Sequence, residues 1–208
     1  SLGLVGSEMC IRDSYKLGLG SCIDYDYPIA AWDSIEQESV NSFFFLGDNI
    51  YGDVPSGRLA SVKISYKNMN EKMPEWLQKT EKLVIWDDHD YGLNDGGGSY
   101  LYKAESQEIY NNAWRINQND LRRSREGIYF SELKIINQKK VLFIGLDTRH
   151  FRSNLIKIGN SYKPHKNHNS TVLGSVQWDW LKNQVTQEHD ILILACLLYT
   201  SPSPRDRG

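Results

Sequence analysis

Short apolar runs, each closed by aspartate, punctuate the chain. Phe43–Leu46 leads into Gly47-Asp48, Leu83–Trp86 into Asp87-Asp88, and Val141–Leu146 into Asp147. Uninterrupted apolar runs of this length predict strands buried on both faces. Ile191–Ala195, after Asp190, predicts another, and the weaker alternation of Tyr15–Cys22 a first strand running into Gly20-Ser21-Cys22. Between them the period lengthens to that of a helix. Helices are predicted at Ala30–Val40 behind Pro28, from near Leu59, and at Met73–Lys82 with Pro74 in its first turn. Lys103–Leu121 carries a stripe of Ile109, Ala113 and Ile116. Val176–Glu188 buries Trp178, Leu181 and Val185, with Ser175 as its cap. Alternation over Ile128–Ile136, a turn at Asn137-Gln138 and the return through Val141–Leu146 predict a hairpin. Strand–helix–strand order with one hairpin predicts an α/β fold containing a mixed sheet.

The ends of the runs carry the candidate chemistry. Asp48-Asn49 alone reads equally well as an ordinary turn. The recurrence of the pattern favours a site, because parallel neighbours would bring these ends to one sheet edge, where open α/β sheets place their ligands. Converging carboxylates repel and call for a cation, and carboxylate oxygens with imidazole suit Ca, Mn, Zn or Fe. His89 stands inside Asp87-Asp88-His89-Asp90, and His150 follows the third run. Cys22, ahead of Asp24 and Asp26, reads as a small buried apolar residue or as a ligand. Gly96-Gly97-Gly98 brings the backbone close to a ligand or forms a surface loop. His165 and His168 fall in a polar stretch, Phe151–Leu173, and read as exposed loop residues.

Composition narrows the class. The chain has 208 residues, 40% of them apolar and 24% charged, which suits a soluble protein with a sizeable core. A net charge of −2 gives no footing for a polyanion, so no nucleic-acid partner is expected. Arg122, Arg123 and Arg125 read as a solvated helix end. No apolar run approaches the ~18 residues of a membrane span, and no phosphate-binding glycine motif is present. The two ends, 1–14 and 196–208, resemble translated library adapter and are expected to be non-native, leaving 15–195 as one incomplete domain. Cys10 and Cys196 fall in those ends, so no disulfide is expected.

Gly47-Asp48-Asn49-Ile50-Tyr51 matches the Gly-Asp-x-x-Tyr element of binuclear metallophosphoesterases. Asp88-His89-Asp90 stands where the calcineurin-like superfamily has Asn-His-Asp/Glu. With Gly20-Ser21-Cys22 and Leu146-Asp147-Thr148-Arg149, the set resembles the PhoD-like phosphatases (alkaline phosphatase D family) over roughly 15–195. The resemblance implies an α/β/β/α sandwich, incomplete on its carboxyl-terminal side. It implies hydrolysis of a small phosphoester at a binuclear centre, with Fe(III) and Ca as the ions and Zn or Mn as alternatives. Asp48 would bridge the ions, Tyr51, Asp88 and Cys22 would be further ligands, and His89 would serve as the catalytic acid. Asn49 and Arg149 would contact substrate, Arg149 equally reading as a structural ion pair. An extracytoplasmic location goes with the family. Two departures stand out: aspartate replaces asparagine at Asp88, and no later Gly-Asp-x-His supplies further histidines. The alternative is a non-catalytic metal-stabilised binding protein or an inactive fragment.

Overall fold

The computed structural model describes residues 14–159, 161–166 and 169–197. In chain order the elements are β1 (Leu17–Gly20), α1 (Ala31–Gln37), β2 (Ser42–Phe45), α2 (Ala60–Lys72), α3 (Glu75–Lys79), β3 (Glu81–Val84) and α4 (Asp88–Tyr91). There follow α5 (Lys103–Ala113), a 3₁₀ turn (Leu121–Arg123), β4 (Phe130–Ile136), β5 (Lys139–Gly145), β6 (Ile156–Ile158), β7 (Ser161–Lys163), α6 (Gly174–Gln184) and β8 (Ile191–Ala195).

β1, β2 and β3 form one parallel sheet in that order, with Gly20 opposite Phe45 and Phe45 opposite Val84. The run Phe43-Phe44-Phe45 is apolar throughout because both faces of β2 are covered. Successive side chains of a strand point to opposite faces. Phe43 and Phe45 meet the helical layer, their rings 5.7 Å from Trp32 and 4.8 Å from Trp114. Phe44 points the other way, 6.0 Å from Phe130 of a second sheet.

That second sheet has the order β4-β5-β8, antiparallel then parallel. Asn137 and Gln138 join β4 to β5 at φ 49° and 63°, two left-handed residues as the tightest hairpin turns require. On β5, Val141 and Phe143 enter the main core, whereas Leu142 and Ile144 pack with Leu173 and Leu181 under α6. The layers therefore run helices, sheet, sheet, helix, the expected α/β/β/α sandwich. A Cβ on Gly145 would strike Phe130 and come within 2.6 Å of Ile85, so the packing there leaves no room for a side chain.

Three expectations are corrected. The helix predicted to Leu121 ends at Ala113, because Arg115 turns left-handed (φ 53°) and redirects the chain. α6 starts at Gly174 with no cap from Ser175; instead the Thr171 hydroxyl accepts from the Gly174 amide at 2.9 Å. It buries Gln177 and Leu181, while Val176, Trp178 and Val185 stay exposed. Gln177 is drawn inward because its amide holds both backbone groups of Asp147, at 2.8 Å each. The arginines are not a solvated cluster either: Arg122 lies over Phe130, Arg125 over Tyr129, and Arg123 donates to the carbonyls of Ile116 and Asn111. Among the described residues no helix is long and apolar enough to cross a membrane.

Candidate metal centre

The centre is built on two loops that leave adjacent parallel strands. After β2, Gly47 takes φ 110° and Asp48 φ 49°, so the chain reverses at once at the sheet edge. A side chain at Gly47 would press on the Asp87 backbone at 3.0 Å, which leaves the position to glycine. Cys22, itself at φ 57°, docks on this turn: its amide donates to Gly47 O at 3.2 Å, and the Ile23 amide to Asp48 O at 2.7 Å. Non-glycine residues in the left-handed region cost energy and collect at functional sites. The arrangement leaves Cys22 Sγ 3.8 Å from Asp48 Oδ2, with the Cys22 and Tyr51 side chains hydrogen-bonded to each other.

The second loop follows β3. Asp87 caps the short helix α4 in a reciprocal box with Asp90, whose Oδ2 accepts from the Asp87 amide at 3.0 Å. Asp90 Oδ1 also accepts from the Asn49 amide at 3.0 Å, so one buried carboxylate ties the two loops together. Asn49 returns the tie, donating Nδ2 to Ile85 O at 2.8 Å. Asn49 is fully buried and its amide nitrogen is engaged inside the fold. It thus joins the loops, while its Oδ1 has no hydrogen-bond partner.

This brings ligand atoms of Asp48, Asp88 and His89 within 4.8 Å of one another. Arg149, arriving from the end of β5, donates Nε and Nη2 to the two oxygens of Asp87, and Nη2 lies 3.2 Å from Asp88 Oδ1. Asp88 Oδ2 accepts from the Asp95 amide at 2.7 Å. His89 Nδ1 stands 2.5 Å from Asp53 Oδ1, and the Tyr51 ring lies 4.5 Å from the imidazole.

The electrostatics follow the burial. Desolvation, then the Asp88 charge, raises the Asp48 carboxyl above its ordinary range. Burial pushes Asp87 up to about 6 against the pull of Arg149. At Asp88 burial pushes upward as well, but Arg149 and the Asp95 amide outweigh it and hold the group below its ordinary value. Burial disfavours the imidazolium of His89, yet the Asp53 hydrogen bond and charge override it and raise the group. Desolvation, then Cys22, holds the Tyr51 phenol above its usual range.

A cation fits this surrounding. Asp48 Oδ1 is buried without a hydrogen-bond partner, beside a second carboxylate and an imidazole. An unpaired buried carboxylate oxygen is costly until something positive meets it.

Of the residues expected at the site, Cys22, Asp48, Tyr51, Asp88, His89 and Arg149 are brought together. Asp147 is not. It ends a strand of the other sheet, and its carboxylate accepts from the amides of Ile128, Arg149 and His150. Three aspartates were missed: Asp53, which orients His89; Asp87, which anchors Arg149; and Asp90, which ties the loops. Asp53 lies in the same loop as Asp48, and Asp87 and Asp90 flank the expected pair, so nearness in sequence was the one signal. The triple glycine serves the fold: Gly98 N donates to Arg152 O at 2.8 Å, and a Cβ on Gly97 would meet that carbonyl at 2.9 Å. His165 is half-buried, its Nε2 2.5 Å from Asn154 O, and His168 lies outside the described residues.

No family model and no curated protein matches the chain. A solved structure described as "Structure of PhoD" matches it with a TM-score of 0.61 at 20% identity, over 88% of this chain and 41% of that one. This likeness shows the fold, a PhoD-like sandwich, and the chain spans about 41% of that structure's length.

Proposed function

We propose that the chain carries part of the centre of a metal-dependent phosphoester hydrolase of the alkaline phosphatase D kind, acting on a small phosphomonoester or phosphodiester. The observation that carries this reading is the convergence of Asp48, Asp88 and His89 within 4.8 Å, braced by Arg149. Fe(III) and Ca are the proposed ions, with Zn or Mn as alternatives, held by Asp48, Asp88, Tyr51 and Cys22. When bound, such ions acidify water and neutralise phosphoryl charge.

The chain's own groups do the rest. Arg149 Nη1 is buried without a partner, a donor left over for a phosphoryl oxygen once Nε and Nη2 are engaged. Asp53 favours the protonated form of His89, which can pass that proton to the leaving oxygen. Tyr51 holds its proton firmly in its present surroundings and gives it up only to a cation. An extracytoplasmic location accompanies this reading.

The test is hydrolysis of an aryl phosphate together with metal content by mass spectrometry, for the parent chain and for Asp48→Asn, Asp88→Asn and Tyr51→Phe. Each variant is expected to lose at least the ~10–100-fold in metal affinity that removing even a supporting group costs. Equal metal content in parent and variants sinks the ligand assignment. A second reading, metal binding without turnover, is favoured by the size of the cluster, which among the described residues holds three such groups. Stoichiometric metal with no hydrolysis in the parent chain selects it.

A further inference from the structure

A second polar cleft, of about 660 Å³, opens between α5 and the segment that follows it. His150, the neighbour of Arg149 in the chain, is among its lining residues. The imidazole is 2% exposed, and neither ring nitrogen has a hydrogen-bond partner. The carboxylate of exposed Glu126 stands 3.9 Å from Nε2, and the Asp147 charge acts on the ring as well. A buried imidazole with both nitrogens unspent is expensive in a fold that satisfies its polar groups.

The cleft walls explain what could meet it. Lys103, on the first turn of α5, lines the cleft and acts electrostatically on His150, and its ammonium forms no ion pair among the described residues. Arg125 is fixed over Tyr129 at 3.7 Å and donates Nη2 to Tyr129 O, which leaves a buried Nε without a partner. Arg123 lines the same cleft, its nitrogens engaged by carbonyls of the 111–116 turn and by Asn112. His150 and Arg125 thus bring buried, unspent N–H donors to the wall of one cleft, to which Lys103 adds a cation and Glu108 and Glu126 add carboxylates.

We propose that this cleft is a binding site for a tetrahedral oxyanion, free phosphate or sulfate, with His150, Lys103 and Arg125 Nε as its donors. Neutral imidazole donates one N–H, Lys103 supplies charge at the mouth, and the preset guanidinium supplies a directed donor. Glu126 is the built-in competitor, since its carboxylate occupies the approach to His150 and must swing out for an anion to enter. The site is separate from the Asp48–Asp88–His89 cluster and does not rest on the phosphoester reading.

The experiment is a titration of the full chain with sodium sulfate, and separately with sodium phosphate, at constant ionic strength in chloride. Imidazole resonances are followed by NMR, and those of His150 are assigned through His150→Asn. A saturable shift confined to His150 is expected for both anions. Lys103→Ala should weaken it about two- to fivefold, the worth of one partly exposed charge. Glu126→Gln should tighten it by a similar factor, the opposite sign. A shift with phosphate alone, the same in Lys103→Ala and Glu126→Gln, or no saturable shift at all overturns the proposal. If His150→Asn fails to fold, the two rim variants still decide the matter, because neither removes a buried contact.

Discussion

Arg149 Nη2 lies 2.7 Å from Asp87 Oδ2 and 3.2 Å from Asp88 Oδ1, so one guanidinium from the end of β5 grips two consecutive carboxylates from the end of β3. The grip crosses from one sheet to the other. It sets the second loop of the centre against the second sheet, and it offsets part of the repulsion among Asp48, Asp87 and Asp88.

Removing that guanidinium leaves the carboxylates buried and unpaired. Arg149→Ala is expected to cost about 3–5 kcal/mol, as for other broken buried pairs. Arg149→Lys should recover only part of this, since an ammonium cannot engage Asp87 through two parallel bonds. Urea denaturation measures both. The loss should shrink when a divalent cation is added, and a variant as stable as the parent in its absence contradicts the account.

Asp90 is the second tie. It accepts from the amides of Asn49 and Asp87 at the base of the two loops. Asp90→Ala strands both buried donors, at roughly 1–3 kcal/mol each, whereas Asp90→Asn keeps one acceptor and should lose less. Hydrogen exchange at the Asn49 and Asp87 amides reads this directly. Faster exchange confined to these loops is expected in Asp90→Asn, and unchanged protection there rejects the role.

The legible part of the molecule is the part where composition and period agree. Phe43–Phe45 announced a strand covered on both faces, and its Gly47-Asp48 ending announced the edge where the cluster forms. Which sheet a strand joins is not written locally, so Asp147 looked equivalent to Asp48 and Asp88 although β5 belongs elsewhere. Long-range polar contacts were equally silent. The face of α6 is set by Gln177 reaching the Asp147 backbone, which periodicity cannot foresee. The arginines at 122–125 were misread for the same reason: their aromatic and carbonyl partners lie in other segments. Asp53 was missed because its role is defined by His89, far along the chain.

The closeness of the two sheets is itself testable. A Cβ at position 145 would collide with Phe130 and lie 2.6 Å from Ile85. Gly145→Ala should destabilise by about 1–3 kcal/mol, the range for overpacking a dense core. Gly159→Ala, where an added Cβ meets nothing within 4 Å, controls for loss of chain freedom, although its own φ of 59° also disfavours alanine. A Gly145→Ala chain that melts at the parent temperature would show that the sheets separate freely, contrary to a packed sandwich.

The last expectation concerns acid. Burial lowers the pKa of His150 below its ordinary 6.5, against the smaller upward pulls of Asp147 and Glu126 and with the help of Lys103. The unfolded chain therefore binds this proton more readily than the folded one. The sign follows: the contribution to stability is fully present above about 6.5 and is lost as pH falls through that value toward the lower folded pKa. Urea melts of the parent and of His150→Asn between pH 7.5 and 5, in chloride without sulfate or phosphate, isolate the effect. The gap between the two chains should narrow as the pH drops, because asparagine has no proton to take up. A gap constant across that range means that His150 is as solvated in the folded chain as in the unfolded one, and the orphaned imidazole lining the cleft is then hydrated.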